Sequence, residues 1–247
     1  MTRLYNKKEI NIMKRGGRFL AKILRQVAKE VRPGITTEYL NKVAEDLIFS
    51  YNLKPSFKGF GGFPAALCTS IDEEIVHGVP GKRVLKDGDM LSLDLGVEHE
   101  GYHSDMAFTL GIGNISKKKK KLISVTKKCL ELAINQARAG NFLGDIGNAV
   151  ESYAKENGLD VVKELVGHGV GKNLHEDPQV FNYGEKGQGI ELKEGMVLAL
   201  EPMVVAGGWK VQKTEDGFGY RTVDRSLSAH FEHSITVTKR GGVILTK

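Results

Sequence analysis

The feature that most constrains the fold is MLSLDLGVEHEGYHSDMAF, residues 90–108, a stretch typical of a β-hairpin that carries two aspartates among apolar residues. If residues 99–100 form the turn, Asp94 and Asp105 lie directly opposite each other on one face, with Cβ atoms roughly 5 Å apart. Like charges so placed destabilise a sheet, and partial burial raises the cost. A shared proton, a basic neighbour or a bound cation would relieve the conflict. Two solvated aspartates on an exposed face would avoid it.

Further side chains suited to metal binding follow downstream. The segment VGHGVGKNLHEDP, residues 166–178, sets His168 in a glycine-framed turn, with His175 after it. The run MVLALEPMVV predicts Glu201 inside an otherwise apolar strand, and SAHFEHSITVT predicts the same for Glu232. A lone histidine is more often packed than bound to a metal, but a buried carboxylate must be paired, protonated or metal-bound.

This set of donors favours a metal site over ordinary packing. Four carboxylates and one imidazole form a hard, oxygen-rich shell with more negative charge than a single cation neutralises. We therefore expect two divalent ions bridged by carboxylates, with Mn²⁺, Fe²⁺ or Co²⁺ better suited than a thiolate-seeking metal. Two ions roughly 3.5–4 Å apart can hold and deprotonate one bridging water, as hydrolases and aminopeptidases do.

The bulk composition is that of an ordinary globular protein. The chain has 247 residues, of which 40% are hydrophobic and 27% charged, so it can bury a sizeable core. No apolar run reaches the roughly 18 residues that a membrane span requires, and the N-terminal segment lacks the features of a secretory signal. Cys68 and Cys129 are the only cysteines, too few for a disulfide framework. We expect a cytoplasmic protein.

The order of the predicted elements indicates two related halves. Residues 7–31 carry apolar side chains at helical spacing, Pro33 ends that helix, and Thr36 or Thr37 can cap a second helix running to about Tyr51. The segment 32–53 can be laid over 138–159 with an offset of 106 residues. Helices alternate with hairpins rather than with single parallel strands, which argues against a doubly wound nucleotide fold.

The net charge of +6 includes a run of five lysines, Lys117 to Lys121. One interpretation is a solvated turn that leads into a helix. The other is an electrostatic contact with a polyanion such as RNA. No aromatic residues alternate with the lysines to stack on bases, so recognition of a specific sequence is not expected.

In this order and with these flanks, the donors resemble those of the methionine aminopeptidases, most closely the short type I enzymes of bacteria. The resemblance rests on SLDLGVEHEGYHSDMAF, VGHGVGKNLHEDPQV, LALEPMVVAG and DRSLSAHFEH, and it spans nearly the whole chain. It implies a single catalytic domain, residues 1–247, with the pita-bread fold. That fold is an α/β (α+β) architecture of two pseudo-symmetric halves, with a curved antiparallel sheet and flanking helices.

The resemblance also implies a role for each metal-binding residue. Asp105 and Glu232 would bridge two divalent ions, Asp94 would bind one of them, and His168 and Glu201 would complete the other. The reaction implied is removal of the initiator methionine from nascent proteins and peptides by a metal-bridging hydroxide. Glu201 would in addition carry the proton of the attacking hydroxide.

Two further histidines receive roles from the same resemblance. His175 would contact the scissile carbonyl oxygen and stabilise the tetrahedral intermediate. His77, in EEIVHGVPG, would lie beside the substrate and help to position its reacting peptide group. Without the family context, a structural turn histidine would be the better interpretation of His77.

The resemblance places the methionine side chain in an apolar slot that suits an unbranched thioether. The slot would draw on Phe57, Phe60, Phe63, Cys68, Leu174 and Phe218. The segment SFKGFGGFP has phenylalanines where the bacterial pattern commonly has a cysteine and tyrosines. Leu174 stands where an aromatic residue is common, Phe218 where a tryptophan is common, and Val76 where a cysteine is frequent. We expect these departures to affect how strictly methionine is preferred. We also expect a small second residue in the substrate.

Two alternatives stay open. Proline-specific peptidases and creatinase-like enzymes share the fold, but they generally carry a further N-terminal domain, for which 247 residues leave no room. A catalytically inactive relative that binds peptides or RNA would typically lack metal ligands. The first predicted helix begins almost at the start of the chain, without a zinc-finger or proline-rich extension, so any ribosome contact would use the basic surface. The family suggests a monomer.

Overall fold

The computed structural model describes residues 2–247, which form four α-helices and fifteen short or long strands. The helices are α1 (Lys7–Glu30), α2 (Thr37–Ser50), α3 (Lys117–Gln136) and α4 (Leu143–Glu156). The strands are β1 (Lys54–Pro55), β2 (Leu67–Ile71), β3 (Glu74–Val76), β4 (Met90–His99), β5 (Tyr102–Gly111), β6 (Asp160–Val161), β7 (Gly167–Gly169), β8 (Glu176–Val180), β9 (Val197–Leu200), β10 (Met203–Val205), β11 (Val211–Lys213), β12 (Tyr220–Thr222), β13 (Ser228–His230), β14 (Glu232–Thr238) and β15 (Gly241–Ile244).

Capping side chains fix the first two helices where the sequence predicts them. Asn6 Oδ1 accepts the backbone N–H groups of Lys8 and Glu9, and the Glu9 carboxylate accepts the N–H of Asn6, which completes a capping box for α1. Thr36 Oγ1 accepts the N–H of Tyr39 at 3.2 Å and so caps α2. Both predicted helices are confirmed.

The main sheet has nine strands, and all of its ladders are antiparallel. Its order is β1-β4-β5-β14-β9-β7-β8, with β2 added to β4 and β15 added to β14. Two three-stranded sheets, β13-β10-β6 and β11-β12-β3, flank it. None of the four helices described within residues 2–247 combines the length and the apolar character that a membrane span requires.

The two predicted halves are present, each with its own core. One core joins α1 and α2 to β2 and β4, and the other joins α3 and α4 to β9 and β14. Helices α2 and α4 cover equivalent spans at the predicted offset of 106 residues. At that same offset, Gly34 and Gly140 both have φ of +92° and donate their N–H groups to Leu85 and Leu192. The seam between the halves is the β5–β14 ladder.

The predicted hairpin forms, but its register differs from the prediction by two residues. Asp105 pairs with Gly96 and Asp94 pairs with Ala107, so the aspartates are diagonal neighbours and not directly opposed. The turn uses Glu100 and Gly101, both with positive φ, as a two-residue turn matched to the strand twist requires. Side chains alternate between the two faces of a sheet, so a register difference of two residues leaves both carboxylates on the same face.

Candidate functional site

A cavity of about 830 Å³ receives every sequence-predicted site residue. Its walls include Asp94, Asp105, His168, Glu201, Glu232, His77, His175, Phe57, Phe60, Phe63, Cys68, Leu174 and Phe218. The residues separate into a charged end and an apolar end. The structure therefore brings the predicted metal donors and the predicted slot into one space.

Three of the carboxylates come from three adjacent strands. Asp94 on β4 and Glu232 on β14 are both Cα partners of Ala107, which lies on β5 between them. Asp105 lies two residues from Ala107 on the same strand, so all three carboxylates share one face. The small side chain of Ala107 separates them without filling the space. All three acidic residues are buried, with no more than 7% of their surface exposed.

The remaining two predicted donors come from the other half. His168 lies on β7, and its Nε2 is 3.5 Å from Glu201 Oε1. His168 Nδ1 lies 2.9 Å from the carbonyl oxygen of Gly169. Because a carbonyl only accepts, Nδ1 carries the proton and the Nε2 lone pair faces the carboxylates.

Glu201 is not inside a strand, contrary to the prediction. It stands in the break between β9 and β10, directly before Pro202, which cannot donate to a sheet ladder. Its backbone carbonyl accepts a hydrogen bond from Asn182 Nδ2 at 3.1 Å, which holds the break in place. The side chain is about one-tenth exposed.

His230 is a member of this cluster that the sequence analysis missed. Asp105, His168 and Glu232 form one group whose donor atoms lie within 4.8 Å of one another, and Glu201, His230 and Glu232 form a second. His230 precedes Glu232 by two residues, the spacing that places side chains on one face of an extended chain. That alternation in SAHFEH is the signal that could have revealed it.

The surroundings shift the pKa values of the whole cluster. Burial first, together with the Glu201 carboxylate nearby, raises the pKa of Asp94 to about 7. Burial and the neighbouring acidic groups raise the pKa values of Asp105 and Glu232 well above their usual range, and burial does the same for Glu201. Burial lowers the pKa of His168 to about 3, so its imidazole is neutral. Four ionised carboxylates cannot coexist here without added positive charge.

The donors present fit divalent cations. Asp94 Oδ1 and Glu232 Oε1 are buried and accept no hydrogen bond from any part of the chain between residues 2 and 247. Buried carboxylate oxygens of this kind are costly unless a cation or a proton meets them. Oxygen donors with neutral imidazole match Mn²⁺, Fe²⁺ or Co²⁺ better than a thiophilic metal.

Two further predicted histidines border the charged end. The rings of His175 and His168 meet edge to face at 4.3 Å, and Phe60 lies against the other side of His175 at 5.0 Å. His77 has a φ of +60°, an uncommon conformation outside glycine, and its ring is 6.0 Å from that of Tyr220. Both imidazoles therefore reach the cavity from loops outside the main sheet.

The apolar end is a closely packed slot. Phe57, Phe63, Cys68 and Leu174 are buried in one cluster, and Phe218 packs against Phe63 with ring centroids 5.5 Å apart. Burial raises the pKa of the Cys68 thiol well above its usual value, so the thiol stays protonated and weakly polar. Phe60 differs from the other predicted slot residues, because half of its surface is exposed at the mouth of the cavity.

Known proteins resemble this chain over its whole length. Residues 11–239 match the model of metallopeptidase family M24. The chain is 45% identical over 243 residues to a methionine aminopeptidase of Clostridium perfringens, covering 98% of each chain. The crystal structure of a methionine aminopeptidase from Thermotoga maritima superposes with a TM-score of 0.98 at 43% identity, covering 100% of both chains.

A more distant likeness confirms the architecture. The prolidase of Pyrococcus horikoshii matches with a TM-score of 0.80 at 23% identity, and the match covers 99% of this chain but 63% of the prolidase. At that identity the likeness concerns the fold alone. Together with the two halves and the antiparallel sheet, it confirms the predicted pita-bread fold. The chain belongs to metallopeptidase family M24 and, within that family, to the methionine aminopeptidases.

Proposed function

We propose that this metallopeptidase removes the N-terminal methionine from nascent proteins and peptides. The observation that carries the proposal is that one cavity holds both a buried cluster of metal donors and an apolar slot. Hydrolysis of the first peptide bond of a chain requires both ends of the cavity. The apolar end would bind the N-terminal side chain, and the charged end would act on the peptide bond that follows it. The relatives of this chain support the same activity.

In this proposal two divalent cations, Mn²⁺, Fe²⁺ or Co²⁺, occupy the charged end. Asp105 and Glu232 would bridge them, Asp94 would bind one, and His168 and Glu201 the other. When bound, such ions supply a hydroxide nucleophile at neutral pH and polarise the scissile carbonyl. The Nδ1 contact of His168 with Gly169 supports its role, because a metal-binding histidine usually donates its other N–H.

The protein's own groups would handle protons and orientation. Glu201, at the charged end of the cavity, would take a proton from the attacking oxygen and deliver it to the leaving amine. Burial lowers the pKa of His175, so a neutral N–H is available to the carbonyl oxygen of the substrate. His77, at the wall of the cavity, would position the peptide group.

The slot would bind methionine through apolar contacts. Its phenylalanine rings, the Cys68 thiol and Leu174 exclude water from a narrow space that an unbranched thioether can follow. Because the lining departs from the usual bacterial pattern, the strictness for methionine is the feature most open to variation. A preference for a small second residue belongs to the proposal and rests on the family resemblance.

Mass spectrometry of a Met-Ala-Ser peptide tests the proposal directly. Metal-stripped protein is incubated with the peptide, with and without added Mn²⁺ or Co²⁺, beside an Asp105→Asn variant that controls for contaminating peptidases. We expect metal-dependent loss of one methionine, absent in the variant. An intact peptide under every metal, together with failure to bind metal, would favour an inactive peptide-binding or RNA-binding relative. A Met-Xaa-Ser series then measures the second-residue preference.

We further propose that the run of five lysines contacts the ribosome. Lys117 to Lys121 form the first turn of α3 behind the Ser116 cap, where the helix dipole disfavours positive charge. Their placement therefore does not serve helix stability, which supports a role toward a polyanion. Lys119 is already engaged, since it pairs with Asp72 and donates to the Gly88 carbonyl.

The ribosome contact is tested with the other four lysines. Replacing Lys117, Lys118, Lys120 and Lys121 with alanine should weaken co-sedimentation with ribosomes, most clearly at low salt, while peptide cleavage is unchanged. Equal co-sedimentation at every salt concentration would remove the idea. A single domain spanning residues 1–247, a monomeric state and a cytoplasmic location are also part of the proposal.

A further inference from the structure

His230 is a buried imidazole in the charged end that none of the roles above uses. It is 1% exposed and ends strand β13. Its backbone N–H donates to Thr109 Oγ1 at 2.9 Å, and the Thr109 hydroxyl donates to the His230 carbonyl at 2.8 Å. These two bonds fix the main chain, so the ring has a defined place in the cluster.

The ring of His230 faces two carboxylates. Its Nε2 lies 3.6 Å from Glu201 Oε2 and 3.9 Å from Glu232 Oε2. Neither ring nitrogen has a hydrogen-bond partner within the described chain, although both are buried. An ionised carboxylate accepts and does not donate, so beside ionised Glu201 and Glu232 a neutral ring is most stable with its proton on Nε2.

His168 stands on the other side of Glu201 and has the opposite arrangement. Its Nδ1–H is held by the Gly169 carbonyl, which leaves Nε2 as a metal-binding lone pair 3.5 Å from Glu201 Oε1. His230 has no such group at Nδ1. A metal-binding histidine nearly always donates its second N–H to a fixed acceptor. His168 meets this condition and His230 does not, so we infer that His168 is a metal ligand and His230 a hydrogen donor.

We propose that His230 is a positioning residue that presents its Nε2–H to Glu201 Oε2, 3.6 Å away, as an electrostatic contact. This contact would orient the Glu201 carboxylate so that its Oε1 faces His168. Glu232 Oε2, 3.9 Å from His230 Nε2, is close enough to be attracted by the same N–H group. The inference rests on the proposed metal centre. It predicts that glutamine, which offers an N–H without charge, can replace His230, whereas leucine of similar bulk cannot.

Long-range ¹H–¹⁵N correlation spectra of protein labelled with ¹⁵N-histidine test the tautomers. The spectra are recorded for the metal-free protein and for protein loaded with Zn²⁺. In the Zn²⁺-loaded protein, where the carboxylates are ionised, we expect the Nε2–H tautomer for His230 and the Nδ1–H tautomer for His168; relative to the metal-free spectrum, the Zn²⁺-induced ¹⁵N shift should appear at His168 Nε2 alone. An Nδ1–H tautomer of His230, or a Zn²⁺ shift at its Nε2, would overturn the proposal. This measurement requires no variant to fold.

Metal affinity of two variants then tests the role. We expect His230→Leu to weaken Zn²⁺ binding by about 10–100-fold, the usual effect of losing a group that orients a ligand, and His230→Gln to remain near the wild type. The control is His233→Gln, whose ring contacts Thr246 away from the cluster. Equal affinities for the leucine and glutamine variants would refute positioning by an N–H donor. Absence of Zn²⁺ binding to the wild type would instead refute the metal centre itself.

Discussion

The charged and apolar ends of the cavity affect stability in opposite directions. At the charged end, buried carboxylates raise one another's pKa values and leave Asp94 Oδ1 and Glu232 Oε1 without hydrogen bonds, which destabilises the metal-free fold. At the apolar end, Phe57 and Phe63 are at least nine-tenths buried in a packed cluster, which stabilises the fold directly. Under the proposed function, the chemistry would depend on groups that the fold alone disfavours, whereas recognition of the side chain would use groups that stabilise the fold.

The largest expected effect comes from Glu232→Gln. The change removes one buried charge at constant shape, so peptide cleavage should fall at least about a thousand-fold, the scale seen when one member of a catalytic set is lost. The Tm of the metal-free variant should equal or exceed that of the wild type, because less like charge is buried. Cleavage assays and calorimetry in the presence of a chelator measure the two effects.

A matched control separates this effect from loss of any glutamate. Glu194 is exposed, so Glu194→Gln should leave both cleavage and Tm within experimental error. Unfolding of metal-free Glu232→Gln well below the wild-type Tm would contradict this difference between the two ends, because Glu232 would then stabilise the fold by itself.

Phe63→Ala should produce the reverse pattern at the apolar end. Phe63 is 7% exposed and packs edge to face against Phe218, so truncation should cost about 3–5 kcal/mol in the free energy of unfolding. KM for a methionyl peptide should rise, whereas bound metal should remain at the wild-type amount. Denaturant unfolding and metal analysis measure these quantities. A variant of wild-type stability would show that the slot is not part of the core.

The pH dependence of stability tests the unfavourable burial of the carboxyl groups without a mutation. A carboxyl whose pKa is raised on folding holds more protons when folded, so stability falls as pH rises. Asp94, with a pKa of about 7, and Asp105, Glu201 and Glu232, all raised, act in this direction. The lowered pKa values of His77, His168 and His233 act in the opposite direction. Their contribution is lost as pH falls through about 6.5, the value of an unperturbed histidine, and it still changes up to about pH 7.5.

Between pH 7.5 and 8.5 the Tm of the metal-free protein should therefore fall, because the raised carboxyl pKa values then outweigh those of the histidines. Mn²⁺-loaded protein should show no such loss, because the cations bind the deprotonated groups and their affinity rises with pH. Thermal scans at several pH values with Mn²⁺ or with a chelator compare the two states. A metal-free Tm that stays constant or rises over this interval would contradict the raised carboxyl pKa values.

Local sequence patterns predicted which helices and strands form better than they predicted the register and the ends of the strands. Alternation placed Asp94 and Asp105 on one face correctly, since side chains repeat every two residues. The register failed because it depends on whether Glu100 adopts a positive φ, a choice that the hairpin sequence did not make evident. The break before Pro202 was likewise missed, because the apolar run around Glu201 concealed the end of β9.

The assembly of the site depends on long-range pairing. Asp94, Asp105 and Glu232 meet because β14 lies beside β5, although more than 120 residues separate the strands in sequence. No local pattern predicts that adjacency, and only the family resemblance did so. His230 was missed for a related reason: a histidine in a short apolar segment is usually a packed residue, and the carboxylate facing it comes from the distant Glu201.

The smallest expected effect concerns Phe60, where the two ends of the cavity meet. Its ring is half exposed and supports His175 at 5.0 Å, so it belongs to the slot by sequence but contributes little buried area. Phe60→Leu should change the free energy of unfolding by less than about 0.5 kcal/mol, as surface changes usually do. It should lower kcat/KM by less than about tenfold, because His175 loses an edge contact and keeps that with His168. Steady-state kinetics and denaturant unfolding, with Phe63→Ala measured in parallel, test both expectations. A large loss of stability in Phe60→Leu would show that the Phe60 ring belongs to the packed core of the slot.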